Sequence, residues 1–249
     1  MRSIAQQQDR RQAGAPSIGV IFDPESLLLD PAPGIEYAMR WAMRDLGIEV
    51  PQHWFRDQWS LQTPFWETLT QLMDTSDPEL IDFGRERYFA HFNECGRFRC
   101  TVRPGGLQLL AALSADPRIE LHYLTHIGAE QAMRLLDAYG LSHIPACVVT
   151  PEAPACPGIR LSLLKQHVES GARPRLSWVL LSDHPWELMA ARRLQLRAIG
   201  IGYARLSLAS LCALQPDAIA ATPDEVPACL ADTQPEMEPQ VVRGPARVH

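Results

Sequence analysis

Residues 18–30 read IGVIFDPESLLLD. Ile18, Val20, Ile21 and Phe22 make a short, β-branched apolar run, too short for a helix and suited to a strand buried on both faces. Asp23 falls where that strand should emerge, at the edge where open α/β sheets bind ligands. Pro24 turns the chain, and Glu25 offers a second carboxylate two residues on. Two acids at one strand end suit a nucleophile with a neighbouring proton donor.

Further along, Ile35, Met39, Ala42, Met43 and Leu46 fall at helical spacing, and Gly47 ends that helix. From Pro51 to Cys100 the composition shifts. Trp54, Phe55, Trp59, Phe65, Trp66, Tyr88, Phe89 and Phe92 lie among polar, helix-forming residues, with a break at Asp77-Pro78. This predicts a helical insertion. Its aromatics read as the core of a small bundle, and a substrate-facing subset is the competing reading. After Arg103-Pro104-Gly105-Gly106 a β-α rhythm sets in. Strands are predicted at Ile119–Tyr123, Ala146–Val149, Trp178–Leu181, Ala198–Tyr203 and Ala218–Ala221. Helices are predicted from Leu107, over Ala129–Tyr139, around Leu161–Val168 and over Glu187–Leu194. Strands alternating with helices imply a mostly parallel sheet covered on both faces.

The 249 residues suffice for one α/β core with an inserted subdomain. No apolar run approaches the ~20 residues of a membrane helix. The 23 basic and 29 acidic residues are mixed along the chain, without a basic stripe that would advertise nucleic acid. A small-molecule substrate is therefore expected, with no nucleic-acid or membrane partner. Cys95, Cys100, Cys147, Cys156, Cys212 and Cys229 show no CxxC pair and no metal-ligand spacing, and read as thiols in a reducing cytosol. Residues 1–16 carry Arg10 and Arg11 but no apolar signal core, so a loose tail and a cytoplasmic protein are expected.

The opening stretch resembles the first motif of the haloacid dehalogenase superfamily, an apolar strand followed by Asp-x-Asp-Gly-Thr-Leu-x-Asp. Asp23, Leu28 and Asp30 fit it; Glu25 stands for the second Asp, and Ser26-Leu27 replaces Gly-Thr. Thr125, ending Leu121-His122-Tyr123-Leu124, resembles the second motif, where a hydroxyl contacts phosphate. A helix cap is the plainer role for such a residue. His126 beside it is read either as a substrate-orienting group or as an exposed loop residue. Val179-Leu180-Leu181-Ser182-Asp183 followed by Glu187 resembles the fourth, metal-binding motif, with Ser182 and Glu187 as departures. Glu187 fits equally well as the acid that opens a helix. The lysine of the third motif is absent, since Cys156-Pro157 stands in its place. Arg160 and Lys165, the chain's only lysine, are the candidate replacement cations, and each also reads as a solvated helix-face charge.

The resemblance spans roughly residues 18–230. It implies a Rossmann-like, doubly wound, mostly parallel core (residues 17–32 and 103–231) with an α-helical cap (residues 33–102), and a loose tail over residues 232–249. It further implies a Mg²⁺-dependent phosphatase of the phosphoglycolate phosphatase-like group, acting on a small phosphorylated metabolite. By this resemblance Asp23 attacks phosphorus and Glu25 serves as acid and then base. Thr125, His126, Arg160 and Lys165 hold phosphate, and Asp23, Glu25 (through its main-chain carbonyl), Asp183 and Glu187 surround the metal. The competing reading is a degenerate member that binds a ligand or a protein without turnover, motivated by Glu25, the missing Gly-Thr and the missing lysine. A haloacid dehalogenase proper and a phosphomutase are the remaining alternatives.

Overall fold

A computed structural model describes residues 16–125, 127–151, 159–170 and 176–231, with backbone only at 159 and 160. The chain opens with strand β1 (Ile18–Phe22) and a one-turn helix α1 (Pro24–Leu27). Asp23, Pro24 and Glu25 are the N-cap, first residue and first-turn acid of α1, so the chain begins a helix where the sequence suggested only a turn. Strand β2 (Leu29–Asp30) follows, then an insertion of four helices, α2 (Ala32–Asp45), α3 (Trp54–Gln58), α4 (Phe65–Met73) and α5 (Pro78–Glu94), and a 3₁₀ turn (Gly96–Arg99). Strand β3 (Thr101–Val102) closes the insertion by pairing antiparallel with β2. The entry and exit of the insertion are thereby tied together.

The rest of the chain is α6 (Gly106–Ala115), β4 (Ile119–Leu124), α7 (Ala129–Ala138), β5 (Cys147–Val149), α8 (Ile159–Glu169), β6 (Ser177–Ser182), α9 (Pro185–Arg193), β7 (Arg197–Ile201), α10 (Leu208–Leu214), β8 (Ala218–Ala220) and α11 (Val226–Ala231). Six strands form one parallel sheet in the order β5-β4-β1-β6-β7-β8. This is an α/β, Rossmann-like, doubly wound sheet. Side chains alternate across it as the strand period requires. Val20, Phe22, Leu121, Tyr123, Val179 and Leu181 pack on one face with α6, α7 and α11, and Ile21, Leu124, Leu180 and Ala198 pack on the other with α8, α9 and α10. Each large side chain removed from water in this way contributes about 1.5–3 kcal/mol.

The insertion has its own core. Met39, Met43, Trp54, Phe55, Leu69, Tyr88 and Phe92 are buried together, whereas Trp66 and Phe89 are exposed. Asp77 starts α5 by accepting the Glu79 N–H at 2.9 Å, which explains the break at Asp77-Pro78. At one contact the backbones touch: a Cβ on Gly34 of α2 would lie 2.1 Å from the Gly96 carbonyl oxygen. That approach seats the 3₁₀ turn, and Arg97 within it, against the first helix of the insertion. Among the described residues no helix is long and apolar enough to cross a membrane.

Candidate active site

β1 lies between β4 and β6, and their registers pair Phe22 with Tyr123 and with Leu181. Asp23 is one residue past this paired stretch, and Thr125 and Asp183 are two past it. All three stand at the carboxyl end of adjacent strands, where an open sheet takes its ligand. All three are buried.

The Glu25 N–H donates to Asp23 Oδ1 at 2.9 Å, so the first turn of α1 holds the Asp23 carboxylate in place. The Glu25 carboxylate reaches the insertion, where Arg97 donates to Oε1 through Nη1. Arg97 is itself buried, donates to Asn93 Oδ1 at 3.3 Å and lies over the Phe92 ring at 4.9 Å. A guanidinium in such a setting gains both charge pairing and stacking.

Asp183 is held by a second arginine. Arg205, just beyond β7, donates its backbone N–H and Nε to Oδ2, each at 3.0 Å, and Nη2 to Oδ1 at 3.2 Å. Burial alone would push the Asp183 carboxyl up. The Arg205 charge and hydrogen bonds, with a further bond from Ser26, outweigh it and hold the group below its ordinary value. In turn, burial works against the Arg205 charge, but Asp183, Asp23 and Glu25 together raise its pKa above the usual value. Arg205 thus feels all three acids at once.

Glu187, in the first turn of α9, is buried and accepts the Ser182 hydroxyl at 2.6 Å; Ser182 Oγ in turn accepts the His184 N–H at 2.9 Å. His184 is the N-cap of α9, accepting the Trp186 N–H at 3.3 Å. Thr125 Oγ1 accepts the Ile127 N–H at 3.3 Å and so shapes the turn after β4, while Gly128 is the N-cap of α7. Burial first, and then the Asp23 and Glu25 charges, raise the neighbouring Tyr123 hydroxyl well above its usual pKa.

His126 and Cys156-Pro157 lie outside the described residues, as does the side chain of Arg160, whose backbone belongs to the start of α8. Lys165 is on α8 and exposed to solvent. The two cations found on the acids, Arg97 and Arg205, are ones that the reading of the sequence passed over. Arg205 follows the apolar run 198–203, so a search for charges just past each strand end would have reached it. Arg97 carries no comparable signal.

Asp23 and Asp183 are hard oxygen donors on neighbouring strand ends, the ligand type Mg²⁺ takes. Around them four carboxylates, those of Asp23, Glu25, Asp183 and Glu187, meet two guanidiniums, an excess of negative charge that a dication would offset. Donor type and charge therefore fit Mg²⁺. Arg205 competes for the same lone pairs of Asp183. Among the described residues no three of these acids bring carboxylate oxygens within 4.8 Å of one another, and two of the four, Glu25 and Asp183, are paired with arginines. A cleft of about 360 Å³ opens beside the site, lined by Gln62 and Thr63 of the insertion and by Asp183, Arg205 and Ser207 of the core.

This architecture, with a helical insertion directly after a first strand that ends in Asp, is the fold of the haloacid dehalogenase-like hydrolases. A haloacid dehalogenase-like family hydrolase of Streptococcus pneumoniae is similar with a TM-score of 0.67 and 21% identity, over 86% of this chain and 99% of its own. A predicted phosphatase of Clostridium acetobutylicum gives 0.66 and 19%, over 88% and 100%. Protein tyrosine kinase A of Mycobacterium tuberculosis gives 0.67 and 24%, over 87% and 99%. No protein-family model matches the sequence, and no curated protein matches it significantly.

Proposed function

We propose that the protein hydrolyses a phosphomonoester of a small metabolite, with Asp23 as the nucleophile. The observation that carries this reading is Asp23 itself: a buried carboxylate at the end of the central strand, fixed by the Glu25 N–H, with Thr125 at the end of the adjacent strand and the Arg205 charge acting on it. Attack of Asp23 on phosphorus expels the alkoxide and leaves an aspartyl-phosphate, which water then cleaves to phosphate. Glu25 is the group positioned to protonate the alkoxide and afterwards to take a proton from water. To do so it must leave Arg97, and a substrate anion that takes over Arg97 would release it. Thr125 holds a phosphoryl oxygen. The helical insertion acts as a cap, placing Arg97 and the 61–64 loop over the core site. Mg²⁺, held by Asp23 and Asp183 with Glu187 behind them, would supply the charge that offsets repulsion between carboxylates and phosphate.

One observation favours a second reading, in which the protein binds a phosphate compound without turnover. Glu25 and Asp183, the proton carrier and the metal ligand of the first reading, are both occupied by arginines. Phosphate release from a panel of small phosphomonoesters, with Mg²⁺ and with chelator, beside an Asp23→Asn control, separates the two. Metal-dependent release lost in the variant supports the hydrolase. No release above the variant, with retained calorimetric binding of the same compounds, supports the binder.

A further inference from the structure

On the sheet face away from α6, three side chains from three elements converge. His122 sits in the middle of β4 and is fully buried, and Cys147 opens β5 directly beside it in register. His167 comes down from α8, with Nε2 3.0 Å from His122 Nδ1. The ligand atoms of the three residues all lie within 4.8 Å of one another, the only such group of His, Cys, Asp and Glu among the described residues. Two nitrogens bound to one tetrahedral Zn²⁺ stand about 3.3 Å apart, given Zn–N bonds of about 2.0 Å. The observed 3.0 Å is a hydrogen bond between the two rings, and a metal would replace its proton with little change in the spacing.

The surroundings match as well. His122 Nε2 stands 3.0 Å from Glu120 Oε1. The contact is one of charge and proximity without hydrogen-bond alignment, so a small turn of the ring would bring that carboxylate behind a metal-bound histidine, where such groups usually stand. Trp178 packs against both imidazoles, at 4.9 Å from His122 and 5.0 Å from His167. Gly19 makes room for that indole, since a Cβ there would lie 2.5 Å from it. The result is a dry wall on one side, while Cys147 and His167 are only half-buried and leave an approach on the other.

We propose that His122, Cys147 and His167 form a Zn²⁺ site, distinct from the acids at the strand ends. Two imidazoles and a thiolate are borderline-soft donors that select Zn²⁺ over Mg²⁺ or Ca²⁺, and they supply three of the four tetrahedral ligands from the described residues. Binding releases the Cys147 thiol proton and ties α8 to β4 and β5. Thr125, just past the end of β4, is three residues further along the chain than His122, about 10 Å at the rise of a strand. The cluster therefore lies on β4 and β5, back from the strand ends of β1 and β6 that carry Asp23 and Asp183.

The test is Co²⁺ and Zn²⁺ titration of the chelator-treated full chain, beside Cys147→Ser and His167→Gln, with circular dichroism to check folding. One equivalent of Co²⁺ should give tetrahedral visible bands and a thiolate-to-cobalt charge-transfer band. Cys147→Ser should lose the charge-transfer band, and each variant should bind Zn²⁺ at least about tenfold more weakly. Saturating Zn²⁺ should raise the melting temperature of the wild type by about 5 °C and leave Cys147→Ser unmoved. A charge-transfer band that survives Cys147→Ser, or Zn²⁺ affinity unchanged in both folded variants, overturns the site. Absence of stoichiometric binding to the wild type overturns it too.

Discussion

Arg205 covers Asp183 on both oxygens, with two donors at 3.0 Å and a third at 3.2 Å. A bidentate guanidinium satisfies the same lone pairs that a divalent cation would use. Arg205→Ala should therefore bind Mg²⁺ at least about tenfold more tightly than the wild type, a gain of about 1.4 kcal/mol. Without metal the variant should be less stable by about 3–5 kcal/mol, because the Asp183 charge is left buried without its cation. Urea unfolding with and without Mg²⁺, together with calorimetric titration, reads both effects. A variant whose stability ignores Mg²⁺ would show that Asp183 is not a metal ligand.

Arg97 and Glu25 link the insertion to the core by a pair in which both side chains are almost withdrawn from water. Removing one partner of such a pair is costly, whereas removing both can be nearly neutral. Arg97→Ala should lose about 3–5 kcal/mol, and Arg97→Ala/Glu25→Gln should recover much of it. If Glu25 is also the proton carrier, the double variant recovers stability without recovering phosphate release. Denaturant melts and the release assay on the wild type, Arg97→Ala, Glu25→Gln and the double variant separate the two roles.

The strand-end acids were legible because each follows a short apolar run: 18–22 before Asp23 and 178–181 before Ser182-Asp183. A run of that kind announces both a buried strand and the place where it ends. The arginines were not legible in the same way. Arg97 meets Glu25 across 72 residues, and Arg205 meets Asp183 across 22, so their contacts exist only once the insertion and β7 have folded against the core. Sequence proximity to the missing lysine points instead to Arg160 and Lys165, and Lys165 faces solvent. The His122, Cys147 and His167 cluster escaped for a similar reason. Its members come from β4, β5 and α8, so no local Cys or His spacing records it.

Asp183 also sets a pH dependence. Its carboxyl is held below the ordinary value of 3.8, with Arg205 outweighing burial. Between the two values the unfolded chain binds the extra proton, so the stability this group contributes is complete above the unfolded value and is lost as pH falls through the folded one. The stability gap between wild type and Asp183→Asn should stay level from about pH 7 to about pH 5 and close progressively below about pH 4. Urea unfolding at stepped pH measures it. A gap that opens on acidification would mean that the Asp183 carboxyl is raised instead.

Gly34 and Gly96 bring the insertion's first helix against the turn that carries Arg97, and a Cβ on Gly34 would meet the Gly96 carbonyl at 2.1 Å. Neither partner is the flexible end of a side chain, so the backbones themselves must part. Gly34→Ala should cost about 1–3 kcal/mol, as overpacking does, despite the gain in helix propensity that alanine brings. Because the displaced element holds Arg97, the variant should also loosen the Arg97–Glu25 pair. Arg97→Ala should then cost less in the Gly34→Ala background than in the wild type. A double-mutant cycle gives the answer: coupling of about 0.5 kcal/mol or more ties the glycine contact to the active site, and strict additivity would confine it to local packing.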